Sequence, residues 1–290
     1  MEHRILGRTG LEVSVLGFGG APVGLQGYLG ADDLDSAAFR RQAAEALRVA
    51  VERGINYFDT APGYGDGRSE RIFGEALEPF RDRIVLATKY ALGDPDGPVD
   101  ARSEGLRESL ERLRTDRVDV LQMHGGFWTD EQAEAILTGP VLDWADDMRR
   151  RGRVRFTGIT AEGPSGGLER LLRSGRFDVL QIAYNLIYQD PCDYQREPRG
   201  VIPPARSLGM GVTTMRTATS GFLQKLFAEA FPEIDAARVT RAAIQFVLST
   251  PEVDCALVGM RSVAEVMENA ALAADASARF DLRALHRRYD

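Results

Sequence analysis

Short, nearly uninterrupted apolar runs recur along the chain, and amphipathic stretches separate them. The runs are SVLGFG (14–19), INYFDT (55–60), RIVLATK (83–89), VDVLQMH (118–124), VRFTGIT (154–160), VLQIAYN (179–185), GVTTMR (211–216) and CALVGM (255–260). Strands covered on both faces read this way, because neither face alternates toward water. Between them, helical periodicity shows in RRQAAEALRVAVERG, SERIFGEALEPF, ARSEGLRESLERLR, VLDWADDMRRRG, GLERLLRSG, ARSLG, ARVTRAAIQFVLST and SVAEVMENAALAA. In the third of these, Leu106, Leu110 and Leu113 recur at i, i+4 and i+7 with charges between, the stripe of a helix lying on a sheet. Gly54, Gly152, Gly175 and Gly209 stand where such helices should stop.

Alternating strand and helix units of this number predict a closed (β/α)8 TIM barrel, since right-handed crossovers between parallel strands close on themselves at eight. The rival is an open doubly wound sheet. No run is followed by GxGxxG opening a helix, and no GxxxxGK[ST] loop occurs, so the phosphate loops of that rival are missing. Ahead of the first unit, HRIL and LEVS flank GRTG and predict a short N-terminal β-hairpin that plugs the bottom of the barrel. The longest irregular stretches, 20–35, 125–131 and 186–200, follow runs one, four and six. They belong at the C-terminal mouth, where barrels bind their substrates.

Composition narrows the function more than the fold. With 290 residues, 44% of them hydrophobic, the chain suits a single domain over 1–290. A net charge of −7 gives no attraction to nucleic acid or to an anionic membrane, so neither is expected as a partner. MEHRILGRTG lacks a signal-type apolar core and no run is long enough to span a bilayer, so a cytoplasmic protein is expected. Cys192 and Cys255 lie in no CxxC or Cys/His cluster, and no metal site is expected. The charge run RRRGRVR (149–155) reads as a solvated helix end with cations at the C-terminal dipole.

Chemistry concentrates at the ends of three consecutive runs. Asp59 ends the second with Tyr64 five residues on, Lys89 ends the third, and His124 ends the fourth. Adjacent strands lie about 4.8 Å apart, so these side chains can converge at one mouth. A buried ammonium beside a phenol should lower its pKa, and a carboxylate partner should keep that ammonium charged. Asp59, Lys89 and Tyr64 thus read as a tuned general acid, and a neutral His124 as a group that orients a carbonyl oxygen.

On these residues, and on LGRTGLEVSVLGFGG, GINYFDTAPGYGDGRSERIFGEAL, IVLATK, RVDVLQMH, RGRVRFTGIT, LQIAYN and VLSTPEVDCALVGMRSVAEVMENA, the chain resembles the aldo-keto reductases over about residues 4 to 275. The resemblance implies a barrel that binds NADP(H) or NAD(H) across its mouth and moves hydride between nicotinamide and a carbonyl. It makes Tyr64 the proton donor, Asp59 and Lys89 its tuners, and His124 the orienting partner. Gly20 also falls among the family's cofactor contacts.

Several positions depart from the family pattern. The usual Gly-x-Ser-Asn, whose side chains bond the nicotinamide carboxamide, is here GITA: Thr160 keeps a hydroxyl, Ala161 cannot replace the amide, and Gln181 is left as the remaining family partner. Met215 stands where many relatives stack an aromatic ring, with Arg216 beside it as a phosphate contact or a rim ion pair. TSGFL (219–223), with Ser220, Gly221 and Leu223, resembles the loop over the pyrophosphate. Arg261, Ser262 and the helix start after them fit a 2′-phosphate, whereas Glu265 repels one or accepts a ribose hydroxyl. Glu268 and Asn269 match the family pair near the adenine. NADP is therefore expected, with NAD as the other possibility, and a small carbonyl compound or sugar as substrate, walled by Tyr28, Phe127 and Trp128. The alternative reading is a cofactor-sensing regulatory subunit of the potassium-channel β type, with little turnover.

Overall fold

A computed structural model describes residues 1–28, 33–95, 97–194 and 199–287, with side chains described through residue 285. Two short strands, β1 (His3–Ile5) and β2 (Glu12–Ser14), pair antiparallel around a 3-10 turn at Gly7–Thr9. Eight parallel strands follow: β3 (Leu16–Gly19), β4 (Tyr57–Asp59), β5 (Val85–Ala91), β6 (Val118–His124), β7 (Val154–Ala161), β8 (Val179–Ala183), β9 (Gly211–Met215) and β10 (Cys255–Gly259). They close in sequence order, with β10 returning to pair with β3. The described helices are α1 (Ala21–Gly24), α2 (Ala37–Glu52), α3 (Arg68–Leu77), α4 (Val99–Arg112), α5 (Asp130–Thr138), α6 (Val141–Arg150), α7 (Gly166–Arg173), α8 (Ile202–Ser207), α9 (Phe222–Ala230), α10 (Ala236–Leu248), α11 (Val263–Ala274) and α12 (Leu282–Arg287).

The barrel and its N-terminal hairpin are as the sequence predicts, and each of the eight apolar runs marks one barrel strand, with β5 and β7 running on past theirs by two residues and one. Four described helices, α1, α5, α9 and α12, lie where the sequence reading has none, α1 within the stretch 20–35 read as irregular. The loop reading over 125–131 overlaps the start of α5, which Thr129 and Gln132 open as a reciprocal capping box. The helix α9 carries Leu223, Leu226, Phe227 and Ala230 at i, i+3, i+4 and i+7, a stripe the sequence reading passes over, and buries only Leu223 of it. Lys89 is also two residues inside its strand rather than at its end, because β5 continues in register with β6 through Ala91↔His124.

Strand register decides which side chains enter the barrel. In parallel strands paired residues face the same side, so the pairs Gly19↔Asp59, Lys89↔Gln122, Thr160↔Gln181 and Thr213↔Gln181 place all of these inward. The interior is therefore layered, with alternate strands filling alternate levels. Tyr57, Val120, Val179 and Cys255 form the floor; Gly17, Ala87, Gly158 and Thr213 come next; Asp59, Gln122, Gln181 and Leu257 lie above them; Gly19, Lys89, Thr160 and Met215 reach the mouth. The second layer must be small. A Cβ on Gly17 would stand 2.7 Å from Cys255 Sγ, and one on Gly158 2.9 Å from Gln122 Cγ.

Below the floor, Leu6, Leu11 and Val13 from the hairpin pack with Tyr57, Val85, Val120 and Val179 and close the bottom. Three aspartates pin alternate strands there. Asp119, Asp178 and Asp254 each accept a backbone N–H from the preceding strand, from Leu86, Thr157 and Val212 at 2.9, 3.1 and 2.9 Å. Each also meets an arginine: Arg81, Arg8 and Arg206 respectively. The stability devices thus sit at one end, and the other end is free to carry chemistry.

Candidate active site

The loop after β4 is wound tightly enough to aim one side chain. Tyr64 N–H bonds Ala61 O at 3.1 Å, Gly67 N–H bonds Pro62 O at 2.7 Å, and Ser69 N–H returns to Tyr64 O at 3.2 Å. Gly65, Asp66 and Gly67 all adopt positive φ, and a Cβ on Gly65 would lie 2.1 Å from Gly24 O, so Gly65 and Gly67 are required by the path of the loop. The phenol ring of Tyr64 is held over the mouth, edge-on to His124 with ring centroids 6.1 Å apart.

Beneath it lies a buried ion pair. Lys89 Nζ donates to Asp59 Oδ2 at 2.7 Å and to Thr60 O at 2.8 Å, and stands 4.8 Å from the Tyr64 ring centroid. Burial works against the ammonium charge, but Asp59 and then Tyr64 outweigh it and hold the Lys89 pKa above its ordinary value. Lys89 pulls the Tyr64 phenol down, as the sequence reading anticipates. Burial nevertheless outweighs that pull, so the phenol pKa is raised rather than lowered. His124 goes the other way: burial, then the Lys89 charge, brings it down to about 4, so its imidazole is neutral at physiological pH. Around these groups opens a cavity of about 250 Å³ whose wall includes Tyr28, Asp59, Tyr64, His124, Gln181, Met215, Arg216, Ser220 and Gly221.

Residues 16–278 match the sequence profile of the Aldo/keto reductase family. The chain belongs to this family. L-galactose dehydrogenase of Arabidopsis thaliana is 31% identical over 301 residues, covering 93% of this chain and 88% of that protein. An Arabidopsis thaliana protein named "Probable voltage-gated potassium channel subunit beta" is 37% identical over 238 residues, covering 77% of this chain and 66% of its own. An aldo/keto reductase from Klebsiella pneumoniae, solved in complex with NADP and acetate, superposes with a TM-score of 0.75 at 22% identity, covering 100% of this chain and 95% of that one. The protein is thus an oxidoreductase of the aldo/keto reductase type.

Within this aldo/keto reductase barrel the expected site residues divide. Asp59, Tyr64, Lys89 and His124 converge. Tyr28 joins the wall and donates its hydroxyl to Ser220 Oγ at 3.1 Å, tying the first loop to the loop after β9. Arg216 forms an ion pair at the rim, bidentate on Glu162 at 2.7 and 2.8 Å. Thr160 spends its hydroxyl on Gly125, accepting from its N–H and donating to its carbonyl, both at 2.9 Å. Gly20 lies behind the wall, giving its N–H to Asp59 O at 2.8 Å, and Leu223 is buried beneath its loop.

Of the three residues expected to wall the substrate, Tyr28 alone lines the cavity. Trp128 is buried with its indole N–H on Thr160 O at 2.8 Å, and Phe127 points outward, 64% exposed, outside the cavity lining. Arg261, Ser262, Glu265, Glu268 and Asn269 also lie outside that lining. Ser262 and Glu265 form a capping box, in which Glu265 Oε2 accepts from Arg261 N at 2.6 Å and Ser262 N at 3.0 Å. The carboxylate thus already satisfies the helix start that the sequence offers as an anion site. Glu265 Oε1 is 3.6 Å from Arg261 Nη2 as well.

Two polar residues escape the sequence reading. Glu162 follows the strand at the rim and carries Arg216. Gln122 lies fully buried, donating from Nε2 to Asp59 Oδ1 and to Gln181 Oε1, both at 2.9 Å, while its own Oε1 has no partner among the described residues. Leaving an amide oxygen unpaired costs about 1–3 kcal/mol. The signal for Gln122 is a repeat, since RVDVLQ (117–122) and RFDVLQ (176–181) align Asp119 with Asp178 and Gln122 with Gln181.

Proposed function

We propose that the protein is an NAD(P)(H)-dependent oxidoreductase that moves hydride between nicotinamide and the carbonyl or alcohol carbon of a small aldehyde, ketone or sugar, with Tyr64 as the acid in reduction and the base in oxidation. The observation that carries this is the buried Lys89–Asp59 pair set beneath a protonated Tyr64 at the wall of an open cavity. The residues present fit the cofactor: Gln181 turns an amide N–H toward the cavity, Met215 offers a polarisable face, Ser220 and Gly221 hold left-handed backbone at the far wall, and Arg261 carries a cation beyond it. When bound, the cofactor supplies or receives the hydride.

The chain's own groups handle the proton. Raised by burial, the Tyr64 phenol keeps its proton until an alkoxide develops against it, and the charged Lys89 then stabilises the phenolate left behind. Neutral His124, edge-on to Tyr64, can hydrogen-bond the same substrate oxygen. The rim of Tyr28, Glu162 and Arg216 is polar, which suits a hydroxylated substrate, and the similarity to L-galactose dehydrogenase over 93% of the chain supports a sugar. Arg261 favours NADP over NAD, with Glu265 opposing it.

Turnover of a panel of aldoses and simple aldehydes, followed by nicotinamide absorbance with each cofactor, tests this. Tyr64→Phe should lower kcat by about 100-fold or more while cofactor affinity stays within about twofold. A Tyr64→Phe enzyme with wild-type turnover would refute the assignment. Tight cofactor binding by a wild-type protein that turns nothing over would instead favour a regulatory role of the channel-subunit kind.

A further inference from the structure

The polar side chains inside the barrel form one chain of hydrogen bonds with a fixed direction. The Asp59 carboxylate, paired with Lys89, can only accept, so the Gln122 amide must turn its Nε2 toward it. The second proton of that nitrogen reaches Gln181 Oε1. Gln181 therefore has its acceptor end held inward. Its donor end, Nε2, is drawn to the Asp59 carboxylate and lies 3.9 Å from Met215 Sδ, a weak acceptor, at the cavity lining. The acceptor character of a buried carboxylate is thus relayed through two amides and emerges at the cavity wall as an N–H donor.

Packing alone does not call for an amide at this position. Leu257 occupies the same interior layer on β10, and Gln122 retains its amide although Oε1 is buried without a partner among the described residues. We propose that Gln122 is a positioning residue: it locks the Gln181 amide so that the wall beside Met215 presents a donor to a carbonyl-type acceptor on the ligand. The inference rests on the nicotinamide reading above, in which that acceptor is the carboxamide oxygen. Without Gln122 the Gln181 amide loses the donor that holds its Oε1 inward and keeps only the pull of the Asp59 carboxylate on its Nε2, so its orientation is less firmly set.

Fluorescence titration of NADPH against the wild type, Gln122→Met, Gln181→Met and the double variant tests the coupling. Gln122→Met should weaken NADPH by about tenfold, and adding it to Gln181→Met should cost less than about twofold more, because nothing is left to orient. Equal weakening in both backgrounds would overturn the proposal, as would a Gln122→Met protein that melts earlier yet binds normally. Gln122→Leu, which repeats the side chain that Leu257 contributes to the same layer, is the parallel variant should the methionine fold poorly, and the same outcomes apply to it. A wild type that binds neither NADPH nor NADH would fail the nicotinamide reading itself, whereas binding with additive effects would fail only the role of Gln122.

Discussion

Lys89→Met isolates the ion pair on which the proposed chemistry stands. The side chain of Lys89 is wholly buried, and its ammonium has the Asp59 carboxylate at 2.7 Å and the Thr60 carbonyl at 2.8 Å. Methionine fills the space but leaves Asp59 with the Gln122 amide and no cation. Removing one partner of a buried pair costs about 3–5 kcal/mol, because the other charge stays behind in low dielectric. For a chain of this size, at about 2 °C per kcal/mol, that is a fall in Tm of roughly 6–10 °C. The loss should depend on pH in a definite sense. Burial already pushes the Asp59 carboxyl up, with Lys89 the largest influence against it, so the variant's Asp59 has a folded pKa well above its unfolded one. Such a group takes up a proton on folding, and its stability contribution is greatest in acid and fades as pH rises through the folded pKa. The gap between wild type and variant should therefore widen from about pH 5 to about pH 8. Calorimetry across that range reads it, with kcat measured alongside and expected to fall by about 100-fold or more. Lys89→Met with Asp59→Asn should regain most of the stability and none of the activity. A Lys89→Met protein as stable and as active as the wild type at the alkaline end of that range would refute the reasoning.

Further outcomes follow from the same geometry. His124, down to about 4 from an unfolded value near ~6.5, should put no inflection into kcat/KM between about pH 5 and 8; one near ~6.5 that disappears in His124→Gln would contradict its neutrality. On linkage, the lowered folded pKa means that His124's contribution to stability is present above about 6.5 and lost as pH falls toward about 4, an effect reduced by the ring's exposure to the mouth and read by calorimetry. Arg261→Ala should weaken NADPH by about 10- to 150-fold and leave NADH nearly unchanged; equal weakening of both would make Arg261 a structural residue. Glu265→Gln, which removes the charge and keeps an oxygen for the capping box, should tighten NADPH selectively in the same titration.

The order of apolar runs and amphipathic stretches was sufficient for the barrel, because burial on both faces leaves an unbroken apolar signature and short right-handed connections leave few ways to join such strands. Asp59, Tyr64, Lys89 and His124 were legible for a related reason: the C-terminal ends of barrel strands share one mouth whatever their separation in sequence. Strand register and packing across the barrel were not legible. They decided that Trp128 is buried with its indole on the Thr160 carbonyl, that Arg216 is engaged by Glu162 and Thr160 by Gly125, and that Glu265 caps its own helix. They also placed Gln122 between Asp59 and Gln181, residues 63 and 59 positions away. The direction of the Tyr64 shift was decided there too. Sequence shows that a lysine is near, but only the folded environment sets how much water is removed from the phenol, and here that loss outweighs the charge.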